Sequence, residues 1–187
     1  MSSGIRVRVA VLAVCILVAA AVGLWKGWGS ATVDPPSPRS VCQLIRPEVF
    51  DLLVPRRRPL QAEGEEGSRP GTRSNTCSSE SGPTVNGARA SLWVALVRLG
   101  QHDGQGPQCI KRDGSLSWAI NRTNHRVALG DGAAYFVSGD RDTGRVIHFA
   151  ACLGTYLVYV RYEAVGATDA SIIESASTVV QEVLSQL

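Results

Sequence analysis

His102, His125 and His148 are the only imidazoles in the 187-residue chain. None stands in the H-x₃-H or H-E-x-x-H spacing that sets two imidazoles on one helix face for a metal. His148 falls in the middle of an apolar run, RVIHFAAC, and the other two in or beside expected loops, so all three read as surface or structural side chains. Hydrolysis would need a histidine within reach of both a carboxylate and a nucleophile. His148 or His102 with a nearby carboxylate is the candidate for that chemistry, although the chain has no G-x-S-x-G elbow. Asp140 and Asp142, in GDRDTG, resemble the opening of a calcium loop, but its twelfth position is Ala151 where a bidentate Glu is needed. A polar hairpin turn accounts for both residues. Gly130-Asp131-Gly132 is too short to cradle a phosphate and does not open a helix. The expectation is a chain with no catalytic residue, no metal site and no cofactor.

The cysteines carry more information. Cys15 lies in an apolar stretch and reads as a small apolar residue. Cys42, Cys77, Cys109 and Cys152 remain, an even number that fits two disulfides in an oxidising compartment. No two of them lie within the C-x₂₋₄-C spacing of a structural zinc site. Four cysteines allow three connectivities. The favoured one joins Cys42 to Cys77, tying an opening helix to the first strand, and Cys109 to Cys152, tying a long loop to a central strand. Each bond would contribute about 3–4 kcal/mol on the chain-entropy account.

An external location also follows from the N-terminus. Residues 1–8 carry Arg6 and Arg8, residues 9–25 are uncharged and almost wholly apolar, and Lys26 ends the run. Seventeen residues make about 26 Å of helix, a short span for a bilayer core of about 30 Å. Trp25 and Trp28 flank Lys26 as interfacial anchors do. Segment 9–25 therefore reads as a transmembrane signal-anchor in the plasma membrane. Two positive charges before the span and one after it leave 1–8 cytoplasmic and the remainder outside. Secretion after cleavage within residues 1–31 is the alternative. Leu12-Ala13-Val14-Cys15 has the outline of a lipoprotein box, but Val14 is too bulky and the following residues too apolar for one.

Residues 26–40 contain Pro35, Pro36 and Pro38 and read as an extended tether to a domain over 41–187. Residues 42–54 form a short helix with Pro47 at its first position and Val49, Phe50, Leu52 and Leu53 on its apolar face. Residues 55–76, rich in Pro, Gly, Glu and Arg, read as a mobile surface loop. In it Glu63, Glu65 and Glu66 offset Arg56-Arg57-Arg58. Alternation over 88–99 predicts a strand with Ala90, Leu92, Val94 and Leu96 on one face and Ser91 and Trp93 on the other. Residues 100–114 read as a loop and 115–126 as a short helix. Runs at 133–138, 146–153 and 156–162 predict an antiparallel meander. A helix from Thr168 or Asp169 to Leu187 carries Ile172, Ala176, Val179, Val180 and Val183 on one stripe, with Ser171 and Glu174 in capping-box spacing. The stripe needs a sheet to cover. The fold class is α+β: a curved antiparallel sheet packed by a C-terminal and a short N-terminal helix, preceded by one transmembrane helix.

The Cys42-Gln43-Leu44-Ile45-Arg46-Pro47-Glu48-Val49 opening, Leu52-Leu53, Cys77 and the Gly130-Asp131-Gly132-Ala133-Ala134-Tyr135 run carry a resemblance across about residues 40–187. They resemble small secreted, lipid-anchored or membrane-anchored actinobacterial domains of unknown function, among them mycobacterial and streptomycete lipoproteins. The resemblance implies an α+β domain with Cys42 and Cys77 paired, and no established catalytic residues. This chain departs from it in its poor lipobox and in lacking an aromatic shortly after Cys77. Asn121-Arg122-Thr123 is a glycosylation sequon by pattern, unused in a bacterial source.

The expected role is a non-catalytic binding or accessory module of the cell envelope, held to the membrane by its N-terminal helix and meeting an unidentified envelope protein or lipid. An envelope hydrolase built on His148 or His102 is the alternative. A binding cleft between sheet and helix would be lined by Trp93, Trp118, Tyr135 and Tyr159, all four of which also suit a core. Nucleic acid is excluded by where the charge sits. Arg6, Arg8 and Lys26 supply the whole net charge of +3, and the other 16 Lys and Arg match the 16 Asp and Glu.

Overall fold

The computed structural model describes residues 39–66, 72–82, 89–100, 109 and 125–187. The expected membrane segment 9–25, most of the tether, the loop expected over 100–114 (apart from Gly100 and Cys109), the helix expected over 115–126 (apart from His125 and Arg126, which are extended in a strand rather than helical), His102, Trp118 and the sequon lie outside them. Among the described residues, no helix is long and apolar enough to cross a membrane.

The protein is an α+β domain built on one seven-stranded antiparallel sheet. Two short helices open it, α1 (Val41–Leu44) and α2 (Pro47–Leu53). The strands are β1 (Gln61–Glu66), β2 (Arg73–Glu80), β3 (Ala90–Arg98), β4 (His125–Val127), β5 (Gly132–Asp140), β6 (Gly144–Leu153) and β7 (Tyr156–Ala164). Helix α3 (Asp169–Leu184) closes the chain. The spatial order is β1-β2-β3-β7-β6-β5-β4, so the last strand sits at the centre.

The inner face of the sheet holds the main core. Cys77, Leu92, Val94, Leu96, Ile147, Phe149, Val158 and Val160 all face the helices and are buried. Helix α3 lies over β6 and β7 and buries the expected stripe, Ile172 through Val183. Its start is fixed by Thr168, whose side chain accepts a hydrogen bond from the Ser171 backbone N–H while Ser171 Oγ accepts one from the Thr168 N–H. The capping box is therefore Thr168 with Ser171, not Ser171 with Glu174. Three residues is the spacing such a box requires, and Thr168 is the last extended residue.

The opening segment is two helices rather than one. Arg46 precedes Pro47 and is pushed to extended backbone (φ −61°, ψ 141°), which breaks the run between Leu44 and Pro47. Asn75 on β2 supports the first piece: its Oδ1 accepts from the Val41 N–H at 2.7 Å and its Nδ2 donates to the Arg39 carbonyl. The Tyr162 hydroxyl donates to the Leu53 carbonyl at 2.9 Å and holds the end of α2 to the central strand.

The surface loop expected over 55–76 is corrected. Residues Gln61–Glu66 form β1, paired along its whole length with β2, which itself begins at Arg73. Strand β1 lies at the sheet edge and contributes backbone hydrogen bonds rather than apolar side chains. Its QAEGEE sequence suits an exposed edge, where charge opposes pairing with other chains.

Both disulfides of the favoured pairing form, Cys42–Cys77 and Cys109–Cys152, with Cα separations of 5.1 and 5.5 Å. Cys77 lies on the second strand rather than the first. The two bonds act on opposite faces: Cys77 belongs to the main core, while Cys109 and Cys152 join a smaller cluster with Ala134, Ala150 and Leu157.

Candidate functional site

Strand register sets the composition of the outer face, the one turned away from α3. Side chains alternate along each strand, so directly paired residues form rows across the sheet. One row runs Ser78, Trp93, Arg161, His148 and Phe136 through β2, β3, β7, β6 and β5. The next, toward one end, runs Glu80, Ser91, Glu163, Val146 and Ser138. On the other side lie Thr76, Ala95, Tyr159, Ala150 and Ala134. The register thus brings a tryptophan, an arginine–carboxylate pair and several hydroxyls to one surface.

The aromatic groups on this face touch. Trp93, 36% exposed, meets the Tyr159 ring edge-on at 5.6 Å between centroids. Phe136 stacks on the His148 ring at 4.5 Å, the planes within 8° of parallel. The Tyr159 hydroxyl and His148 Nδ1 are hydrogen-bonded at 2.5 Å. Partial burial, and then the positive charge of Arg161 directly across the strand, hold His148 below its ordinary pKa. Burial raises the Tyr159 phenol, and Arg161 opposes that shift. Both groups are therefore favoured in their neutral forms, in which one donates the hydrogen bond and the other accepts it.

Beside the aromatic row lies a cleft of about 240 Å³. Its lining includes Glu80, Ser91, Arg89, Thr143 and Glu163. Arg161 Nη2 donates to Glu163 Oε2 at 2.7 Å, so the row with Trp93 and the row with Glu163 are joined by an ion pair. Each partner is more than a third exposed, and such a pair contributes orientation more than stability.

Of the residues expected to line one cleft, the described ones fall in two places. Trp93 and Tyr159 share the outer face and touch. Tyr135 is on the inner face, stacked between His125 and Phe149 at 5.1 and 5.7 Å. Trp118 lies outside the described residues. Among the described residues, Phe149, Val160 and the α3 stripe fill the interface between sheet and helix. One strand position separates the two groups: Ala134 shares the row of Tyr159, so its neighbour Tyr135 must point the other way.

His148 has a phenol, not a carboxylate, as its hydrogen-bond partner. Among the described residues no group of three or more His, Cys, Asp or Glu side chains is placed to hold a metal ion. Asp140 acts as a turn residue: its carboxylate accepts from the Asp142 and Thr143 N–H groups and from the Thr143 hydroxyl, which keeps it ionised below the usual carboxylate range. Asp131 has a similar task, with Oδ2 accepting from the Gly154 N–H. Gly130, at φ +59°, lets the same turn close on β6, where a Cβ would collide with the Cys152 carbonyl oxygen. Sequence reasoning missed Glu80, Ser91, Arg161 and Glu163 as a group. They come from three strands, and only the register joins them.

Comparison with protein-family models, with curated proteins and with solved structures finds no match.

Proposed function

We propose that this chain is a membrane-anchored extracytoplasmic module that binds a component of the cell envelope, with the outer sheet face as its binding surface. The observation that carries the reading is the pair of disulfides, Cys42–Cys77 and Cys109–Cys152, in a domain that follows an apolar run of 17 residues. Disulfides persist in oxidising compartments, and an apolar run with its positive charges weighted to the N-terminal side delivers the domain there. The outer face supports the binding part. An exposed tryptophan flanked by ion-paired and hydroxyl side chains on a rigid sheet is a preformed recognition surface.

The test is a pair of C-terminal fusions. A reporter enzyme that works only outside the cytoplasm should be active, and one that works only inside should be silent. The reverse pattern overturns the proposal.

A further inference from the structure

We infer that the cleft of Glu80, Ser91 and Glu163, together with Trp93, binds a neutral saccharide, one sugar ring in the cleft and a neighbouring ring on the tryptophan. This deepens the proposed binding role and rests on it.

Charge at the cleft favours a neutral ligand. Glu80 and Glu163 are balanced by Arg89 at the cleft and by Arg161, which is ion-paired to Glu163. A polyanion would meet the two carboxylates and a polycation the two guanidinium groups. Neither gains from a surface on which two carboxylates and two guanidinium groups are neighbours. A neutral ligand loses nothing to it.

Hydrogen-bond chemistry favours an occupant rich in hydroxyls. Ionised carboxylates only accept, guanidinium groups only donate and serine does both. The row Glu80, Ser91, Glu163 spans three adjacent strands, so an occupant must offer donors and acceptors at several points about one strand spacing apart, near ~4.8 Å. Sugar hydroxyls do this, since each is donor and acceptor at once. A lipid chain does not, and the described surface has few large apolar side chains to receive one: Leu52, Trp93 and Leu187 are the exposed ones.

Shape favours a ring-sized occupant. Trp93 is two residues from Ser91 on the same face of β3, one row along the sheet from the Ser91 and Glu163 that line the cleft. Its edge contact with Tyr159 fixes the ring while more than a third of the residue stays exposed. A flat apolar plate beside a polar cleft matches the C–H face of a pyranose beside its hydroxyl rim. The volume, about 240 Å³, is below the roughly 300–1,000 Å³ of pockets that enclose drug-sized ligands. It suits a single ring.

The experiment uses the full chain in detergent on a printed array of neutral, acidic and amino-bearing oligosaccharides. The strongest neutral binder is then titrated by calorimetry against the wild type, Trp93→Ala, Trp93→Phe, Glu163→Gln and, as a control on the far side of the domain, Arg46→Ala. The expected result is a neutral glycan bound by the wild type. Trp93→Ala and Glu163→Gln should each weaken it by about tenfold or more. Trp93→Phe should retain most of the affinity and Arg46→Ala all of it. Circular dichroism of each variant establishes that it is folded. Signal confined to acidic or amino-bearing glycans, no glycan signal at all, or a folded Trp93→Ala that binds like the wild type overturns the inference. If the reporter fusions place the domain outside and the array is blank, the ligand class is wrong and the proposed location stands. A cytoplasmic domain overturns the reading beneath it.

Discussion

The two faces of the sheet share the same strands and the same backbone hydrogen bonds, yet differ in almost every other respect. The inner face presents Val94, Phe149, Val160 and their neighbours to α3 and the two short helices, and these side chains are closed to solvent. The outer face presents Trp93, Arg161, His148 and Glu163, which are all partly exposed. Inner positions are interchangeable in kind: any apolar side chain of the right volume serves the core. Outer positions are specific in kind, because ring stacking, an ion pair and a side-chain hydrogen bond each require particular groups. A sheet needs only one apolar face to hold a helix, so the part of the other face outside the Cys109–Cys152 cluster is open to recognition. The disulfides repeat the division, with one tying α1 to the inner face and the other tying Cys109 to the outer.

Truncation separates the faces most strongly. Phe149→Ala removes a ring that is 1% exposed in the middle of the inner face and should cost about 3–5 kcal/mol, read as a lowered midpoint in urea with unchanged slope. A loss under about 1 kcal/mol would mean that the helix–sheet interface is not the main core. Replacing Cys42 and Cys77 together by serine opens a loop of 35 residues and should cost about 3–4 kcal/mol. Equal stability with and without reductant in the wild type would contradict that value.

The smallest of these effects is a pH dependence on the outer face. The folded state holds the His148 pKa below its unfolded value of about 6.5. The unfolded chain therefore binds more protons between the two values, and stability must rise with pH across that interval. The contribution is complete above about pH 6.5 and is lost as pH falls toward the lower, folded value. His148→Gln should flatten the stability profile just below about pH 6.5. An unchanged slope would show that another group titrates there.

Periodicity alone makes the inner face legible in the sequence. The alternation at 90–96 and the stripe of α3 each follow from one buried side of an element, and the sheet-on-helix arrangement follows from the need to cover both. Strand β1 has no such signal. Its QAEGEE sequence contains no large apolar residue, and its extended state comes from pairing with β2, a tertiary effect that local propensity does not report. The break before Pro47 is readable, since a residue preceding proline avoids the helical region, but the apolar spacing across it suggests continuity. The outer site is half legible. Alternation puts Trp93 and Ser91 on the correct side of β3, whereas Glu80 and Glu163 are 83 positions apart in sequence and meet only through the registers of β2, β3 and β7.

Equilibrium denaturation of Trp93→Ala tests the division between the faces most directly. A platform residue that is 36% exposed and meets Tyr159 only edge-on should cost about 1 kcal/mol when truncated, well below Phe149→Ala. A loss as large as that of Phe149→Ala would make Trp93 a core residue and contradict the assignment of the outer face to recognition.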